Sequence, residues 1–174
     1  MKEQIQCLEG LVDLGESPSR LFSKNDLFFT IKHEGKGIVE VELREDGYLY
    51  VGEERVNLFL SDRQKGNSEI EANDLREEVE SMECGSLNMN VLDHLFRNPE
   101  LCPVDWKKEK NGKVLYVIFW DTIIRDFYDI ECAPMDLLVE YVPCFYWENG
   151  NAHWGWISLS SRLGDNFMSA IIER

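Results

Sequence analysis

Cys144 and His153 come closest, by type and spacing, to a reactive pair. They flank Glu148-Asn149-Gly150-Asn151, and Asn-Gly between two apolar runs is a strong hairpin signal. With Asn149-Gly150 as a two-residue loop, Trp147 faces Ala152, Phe145 faces Trp154, and Pro143 faces Trp156. Strand side chains alternate with period two, so Cys144, Tyr146, His153 and Gly155 share one face. Cys144 and His153 are then diagonal neighbours, the arrangement of a thiolate–imidazole pair, and a cysteine-dependent enzyme is one reading. A nucleophilic cysteine also needs an oxyanion site and a positive environment, and no residue in the sequence is marked for either.

Other chemistries find less support. The three histidines are His33, His94 and His153. His94 follows Asp93 but has no second histidine four residues on, so the zinc-peptidase spacing is missing. Asp126, Asp129 and Glu131 lack the central glycine and distal glutamate of a calcium loop. No phosphate-binding glycine loop, nucleophile elbow or dinucleotide fingerprint occurs. No catalytic residue, metal or cofactor is expected.

The opposite face of the same hairpin carries Phe145, Trp147, Trp154 and Trp156, with three of the five tryptophans. Such a ladder is either a flat platform for a peptide or glycan, or a packed layer beneath helices at residues 73–97. Packing is the preferred reading, because large aromatics dominate cores and cross-strand aromatic pairs stabilise sheets.

Charge points elsewhere. Thirty-three Asp and Glu stand against eighteen Lys and Arg, a formal charge of -15 with a pI near 4.6. Such a surface repels phosphates and anionic membranes, and it steers basic proteins inward. Glu69, Glu71, Asp74, Glu77, Glu78, Glu80 and Glu83 form the densest run, interrupted by the single base Arg76. The expected function is therefore a stoichiometric binding protein whose carboxylates stand in for phosphates against a basic partner such as a nucleic-acid enzyme or a toxin. A phage-type inhibitor (an anti-CRISPR protein or another DNA mimic) and a toxin immunity protein both fit. Direct nucleic-acid or membrane binding is not expected. Lys107, Lys108, Lys110 and Lys113 surround Asn111-Gly112 and read as a solvated turn.

These residues need elements to position them. Ile5, Leu8, Leu11 and Val12 predict a helix over residues 2–14 ending at Gly15. From residue 26 to 61 the period falls to two, predicting strands at 26–33, 37–44, 48–52 and 56–61 in an antiparallel meander. Asn73 and Ser86 can cap helices over 73–84 and 88–97, with Gly85 between them and Asn98-Pro99 as the second stop. Residues 114–126, 137–147 and 152–159 form a second meander. The fold expected is a single α+β domain of two antiparallel sheets with the helices between or across them; any sub-division falls near 62–72. Five cysteines at irregular intervals read as free thiols, and with no apolar leader or span the cytoplasm is the expected compartment.

Asn98-Pro99-Glu100, Pro103, Trp106-Lys107, Phe119-Trp120, Thr122-Ile123, Arg125-Asp126, Tyr146-Trp147, Gly150, Trp154 and Trp156 together resemble a family of short, uncharacterised, tryptophan-rich bacterial proteins. The likeness spans roughly residues 92–172. It implies a compact sheet whose aromatic segments are consecutive strands, and it carries no activity. Asp121 replaces the family's usual glycine, and residues 127–138 are longer than its usual turn.

Overall fold

The computed structural model describes residues 10–18, 28–126 and 139–173, with the backbone alone for Phe28, Phe29 and Asp126. The fold is mixed α+β, with two α-helices and a large sheet among the described residues. In chain order the strands are β1 (Leu11–Asp13), β2 (Phe28–His33), β3 (Ile38–Leu43), β4 (Leu49–Val51), β5 (Glu54–Phe59) and β6 (Ile70–Glu71). Helix α1 (Ala72–Ser81), β7 (Cys84–Ser86) and α2 (Met89–Arg97) follow. The chain continues as β8 (Tyr116–Ile118), β9 (Thr122–Asp126), β10 (Glu140–Glu148), β11 (Asn151–Ser158), β12 (Arg162–Leu163) and β13 (Phe167–Glu173).

Eleven of these strands form one sheet, along the path β1-β3-β4-β5-β13-β8-β10-β9-β2 with β11 on β10 and β7 on β13. β13 joins the halves: it runs antiparallel to β5 and parallel to β8. The two separate sheets expected from the sequence are thereby fused into one. The alternation of side chains divides the core between the two faces. Val117, Phe145 and Ala170 point to the layer of α2, while Ile118, Cys144 and Ile171 point to the layer of α1. Val91, Leu92 and Leu95 seal the first layer, and Ala72, Leu75 and Val79 the second.

Four local expectations are corrected. Leu11–Asp13 is a strand on β3, not the end of a helix, because Val12 is then buried and the Leu14 N–H reaches the Gly37 carbonyl at 2.9 Å. Residues 2–9 of that expected helix lie outside the described residues. β2 leaves the first meander and pairs with β9. Its link to β3 is a wide connection through Gly35 and Gly37, at φ of 131° and 80°, and the Glu34 N–H is taken by the Asp121 carbonyl at 2.8 Å. Gly85 and Ser86 lie in β7, so the cap of α2 is Asn88, whose side-chain oxygen accepts the N–H groups of Asn90 and Val91. Asn73 sits inside α1, and Glu71 holds the N-cap position without a side-chain bond.

Candidate functional site

The acidic run is carried by β6, α1 and the turn into β7. Because Ala72, Leu75 and Val79 face inward, its carboxylates fall on the outer side of α1 and its flanks. The seven are not equivalent. Asp74 pairs with Arg63 at 2.8 Å, Glu80 with Lys32 at 3.0 Å, and Glu69 with Arg162 at 3.5 Å. Glu78 accepts from the Ser61 hydroxyl at 2.7 Å, and Glu77 accepts from the Asn73 amide at 3.2 Å. The Glu71 and Glu83 side chains are exposed and make no hydrogen bond or ion pair among the described residues. Negative charge without a paired cation among the described residues therefore sits at Glu71, Glu77, Glu78 and Glu83, and of these Glu71, Glu77 and Glu83 are exposed.

Next to this face lies a polar basin of about 440 Å³, bordered by Lys32, Glu34, Glu80, Ser86 and Asp121 with Trp120 beneath. The Lys32 ammonium is 3.6 Å from Asp121 and 3.9 Å from Glu34 as well as bound to Glu80. Burial pushes the Asp121 carboxyl above its ordinary value, against the pull of Lys32.

The hairpin forms in the register read from the sequence: Trp147 opposes Ala152, Phe145 opposes Trp154, and Pro143 opposes Trp156. The Asn149 and Gly150 φ angles of 52° and 78° are those of the tight turn. Phe145 is fully buried, with the Trp106 ring edge-on at 6.4 Å. Trp147 and Trp154 are half-buried against the core layer of α2. The Lys107 ammonium lies 4.5 Å from the Trp147 ring centre, and Trp156 meets Trp154 edge-on at 5.5 Å. This ladder is packing more than platform.

The other face of the hairpin holds an arrangement that the sequence reading missed. Phe167, Tyr116, Tyr146 and His153 occupy one rung across β13, β8, β10 and β11. Their ring centres are 4.8, 5.0 and 5.2 Å apart in turn. The strand parity of Tyr146 and His153 was legible, but joining Tyr116 and Phe167 to them required the order of the strands. The His153 ring stacks on Tyr146, while Cys144 is buried two residues along β10, on the same face. Burial pushes the thiols of Cys102 and Cys144 up to about 12, far from a nucleophile's range.

Beside the first meander, Leu43, Tyr48, Leu49, Val56, Leu58 and Trp106 surround a groove of about 330 Å³. Lys108 is bound to Asp105 at 2.7 Å, the Lys110 ammonium reaches the Met168 sulfur, and Lys107 lies over Trp147, so three of the four clustered lysines already have partners. Among the described residues no three His, Cys, Asp or Glu side chains converge to hold a metal ion. Asp129 and Glu131 lie outside those residues, as does the Asp126 side chain. No helix among them is long and apolar enough to cross a membrane. Comparison with protein-family models, with curated proteins and with solved structures finds no match for this chain.

Proposed function

We propose that the protein is an acidic, stoichiometric binding protein that engages a basic partner, as an inhibitor of a nucleic-acid enzyme or as a toxin immunity protein does. The observation that supports this most directly is the outer side of α1. Seven carboxylates flank or cover one helix there, and four of them, Glu71, Glu77, Glu78 and Glu83, have no cation paired with them among the described residues; Glu78 is held by the Ser61 hydroxyl, which leaves Glu71, Glu77 and Glu83 as the exposed ones. A partner's Arg and Lys side chains are steered toward such a surface, and the unpaired carboxylates meet them without first breaking an internal ion pair. Burial of the Cys144 thiol weighs against the Cys144–His153 pair as the nucleophile of a cysteine enzyme.

The test begins with affinity capture from host lysate and elution in steps of rising salt. Changing Glu71, Glu77 and Glu83 together to lysine is expected to slow association with the captured protein by at least about tenfold at low ionic strength and to flatten its salt dependence. Changing Glu69 and Asp74 instead has the smaller effect. Unchanged kinetics for the triple variant would overturn the role of this face.

A second reading, an aromatic-surface module for a peptide or glycan, is favoured by the rung of Tyr116, Tyr146, His153 and Phe167. It moves the recognition surface from the tryptophan side of the hairpin to the opposite one.

A further inference from the structure

We infer that the groove between β4–β5 and the turn at Val104–Lys107 is a socket for an apolar side chain flanked by basic residues on a partner protein. This goes beyond the α1 reading, because the groove belongs to the other side of the sheet: Leu49, Val56 and Trp106, which line it, are part of the core layer of α2.

The lining determines the apolar half of the ligand. Leu49, Val56 and Trp106 are buried, whereas Tyr48 and Val104 at the lip are 45% and 66% exposed. A volume of about 330 Å³ is near the lower limit for a ligand cleft, which suits one anchoring side chain and its neighbours. An inserted side chain covers apolar surface that now faces water, and tyrosine is enriched among the residues that dominate such contacts.

The rim determines the charge. The charged side chains that line the groove are Asp46 and Asp105. Asp46 is fixed in place, accepting from the Tyr48 N–H at 3.1 Å and from the Tyr50 hydroxyl at 2.8 Å. Those bonds hold its carboxyl below the usual range. Asp105 is bound by Lys108, an exposed lysine that a partner's lysine or arginine can replace. Arg44 and Arg55, stacked on Tyr50 and Tyr48, keep their charges, but Glu42 and Glu53 offset the first and Glu173 the second, so the rim stays net negative. The formal charge of -15 argues against a second copy of this chain as occupant, since two copies repel one another, and it favours a basic segment.

The experiment is amide chemical-shift mapping on the full chain with three capped hexapeptides. One has the sequence Lys-Lys-Leu-Phe-Lys-Lys, one replaces every lysine with glutamate, and one replaces Leu-Phe with Gly-Gly. The first is expected to shift Gly47, Tyr48, Val104 and Trp106 saturably, and the other two to leave them unmoved. Val104→Lys, at an exposed position where folding is confirmed by an unchanged thermal midpoint, is expected to weaken that binding at least about tenfold. Absence of these shifts, or shifts that survive Val104→Lys, would overturn the socket. Shifts confined to α1 would overturn it too, while leaving the α1 reading intact. Equal binding of the glutamate peptide would overturn the basic requirement. Groove binding that persists in the Glu71, Glu77 and Glu83 triple variant supports the socket as a separate surface.

Discussion

At the scale of single residues, His33 and Asp121 make opposite contributions to stability against pH, although β2 and β9 hold them close together. His33 Nδ1 lies 2.9 Å from the Thr122 hydroxyl, which also accepts the Met89 N–H at 3.0 Å. Burial lowers the pKa of His33, and the Leu14 and Glu16 carbonyls only partly offset it. The folded imidazole is therefore neutral, and the stability it provides is complete above the unfolded value of about 6.5 and lost as pH falls through the lower folded value. Asp121 has the reverse sign: its folded pKa is raised, so its contribution is present at acid pH and disappears as pH rises through that value. His94 is also lowered by burial and adds to the loss on acidification. The expected outcome is that His33→Gln flattens the fall in urea midpoint below about pH 6.5, with His94 accounting for the remaining slope. An unaltered slope would show that His33 does not titrate between the two states. None of this was legible in the sequence, because burial of a lone histidine depends on what the distant strands and α2 bring to it.

At the scale of elements, the start of α2 ties three segments together. Asn88 caps the helix with its side-chain oxygen, while its amide donates to the Leu14 and Glu34 carbonyls, both at 2.9 Å. A Cβ at Gly35 would lie 2.7 Å from that amide nitrogen, which leaves glycine as the residue that fits. Asn88→Ala removes a cap and leaves two carbonyls short of a donor, so it is expected to cost about 2–4 kcal/mol in urea unfolding. A loss below about 0.5 kcal/mol would mean that solvent replaces these bonds freely. Elements set by local signals were readable: the β10–β11 hairpin from Asn149-Gly150 and period two, α2 from its apolar stripe and Pro99. Elements set by distant partners were not. β1 looked helical because Leu8, Leu11 and Val12 follow helical spacing and a strand of three residues is too short to show alternation, and β7 was hidden behind glycine and serine residues that resemble a helix stop and cap. The carboxylates of α1 were legible as a face, but their division into paired and unpaired required Arg63, Arg162 and Lys32 from elsewhere in the chain.

At the scale of the molecule, β13 holds the two halves in one sheet, and the sequence reading assigned nothing after residue 159. Ser169 and Ala170 are fully buried in it, and Ser169 accepts the Trp120 indole N–H at 2.8 Å. Removing the residues from 167 onward takes the partner from β5, β8 and β7 together. The shortened chain is expected to lose native amide dispersion in both halves, with tryptophan fluorescence shifting toward that of the unfolded protein. A first meander that keeps its native spectrum would instead show that it folds by itself. β13 is also synthesised after every other described strand. While it is still inside the ribosome, β5 and β8 present open hydrogen-bonding edges and the Trp120 indole lacks its acceptor. Completion of the sheet must await release of that segment, and until then those open edges are templates for pairing with neighbouring chains.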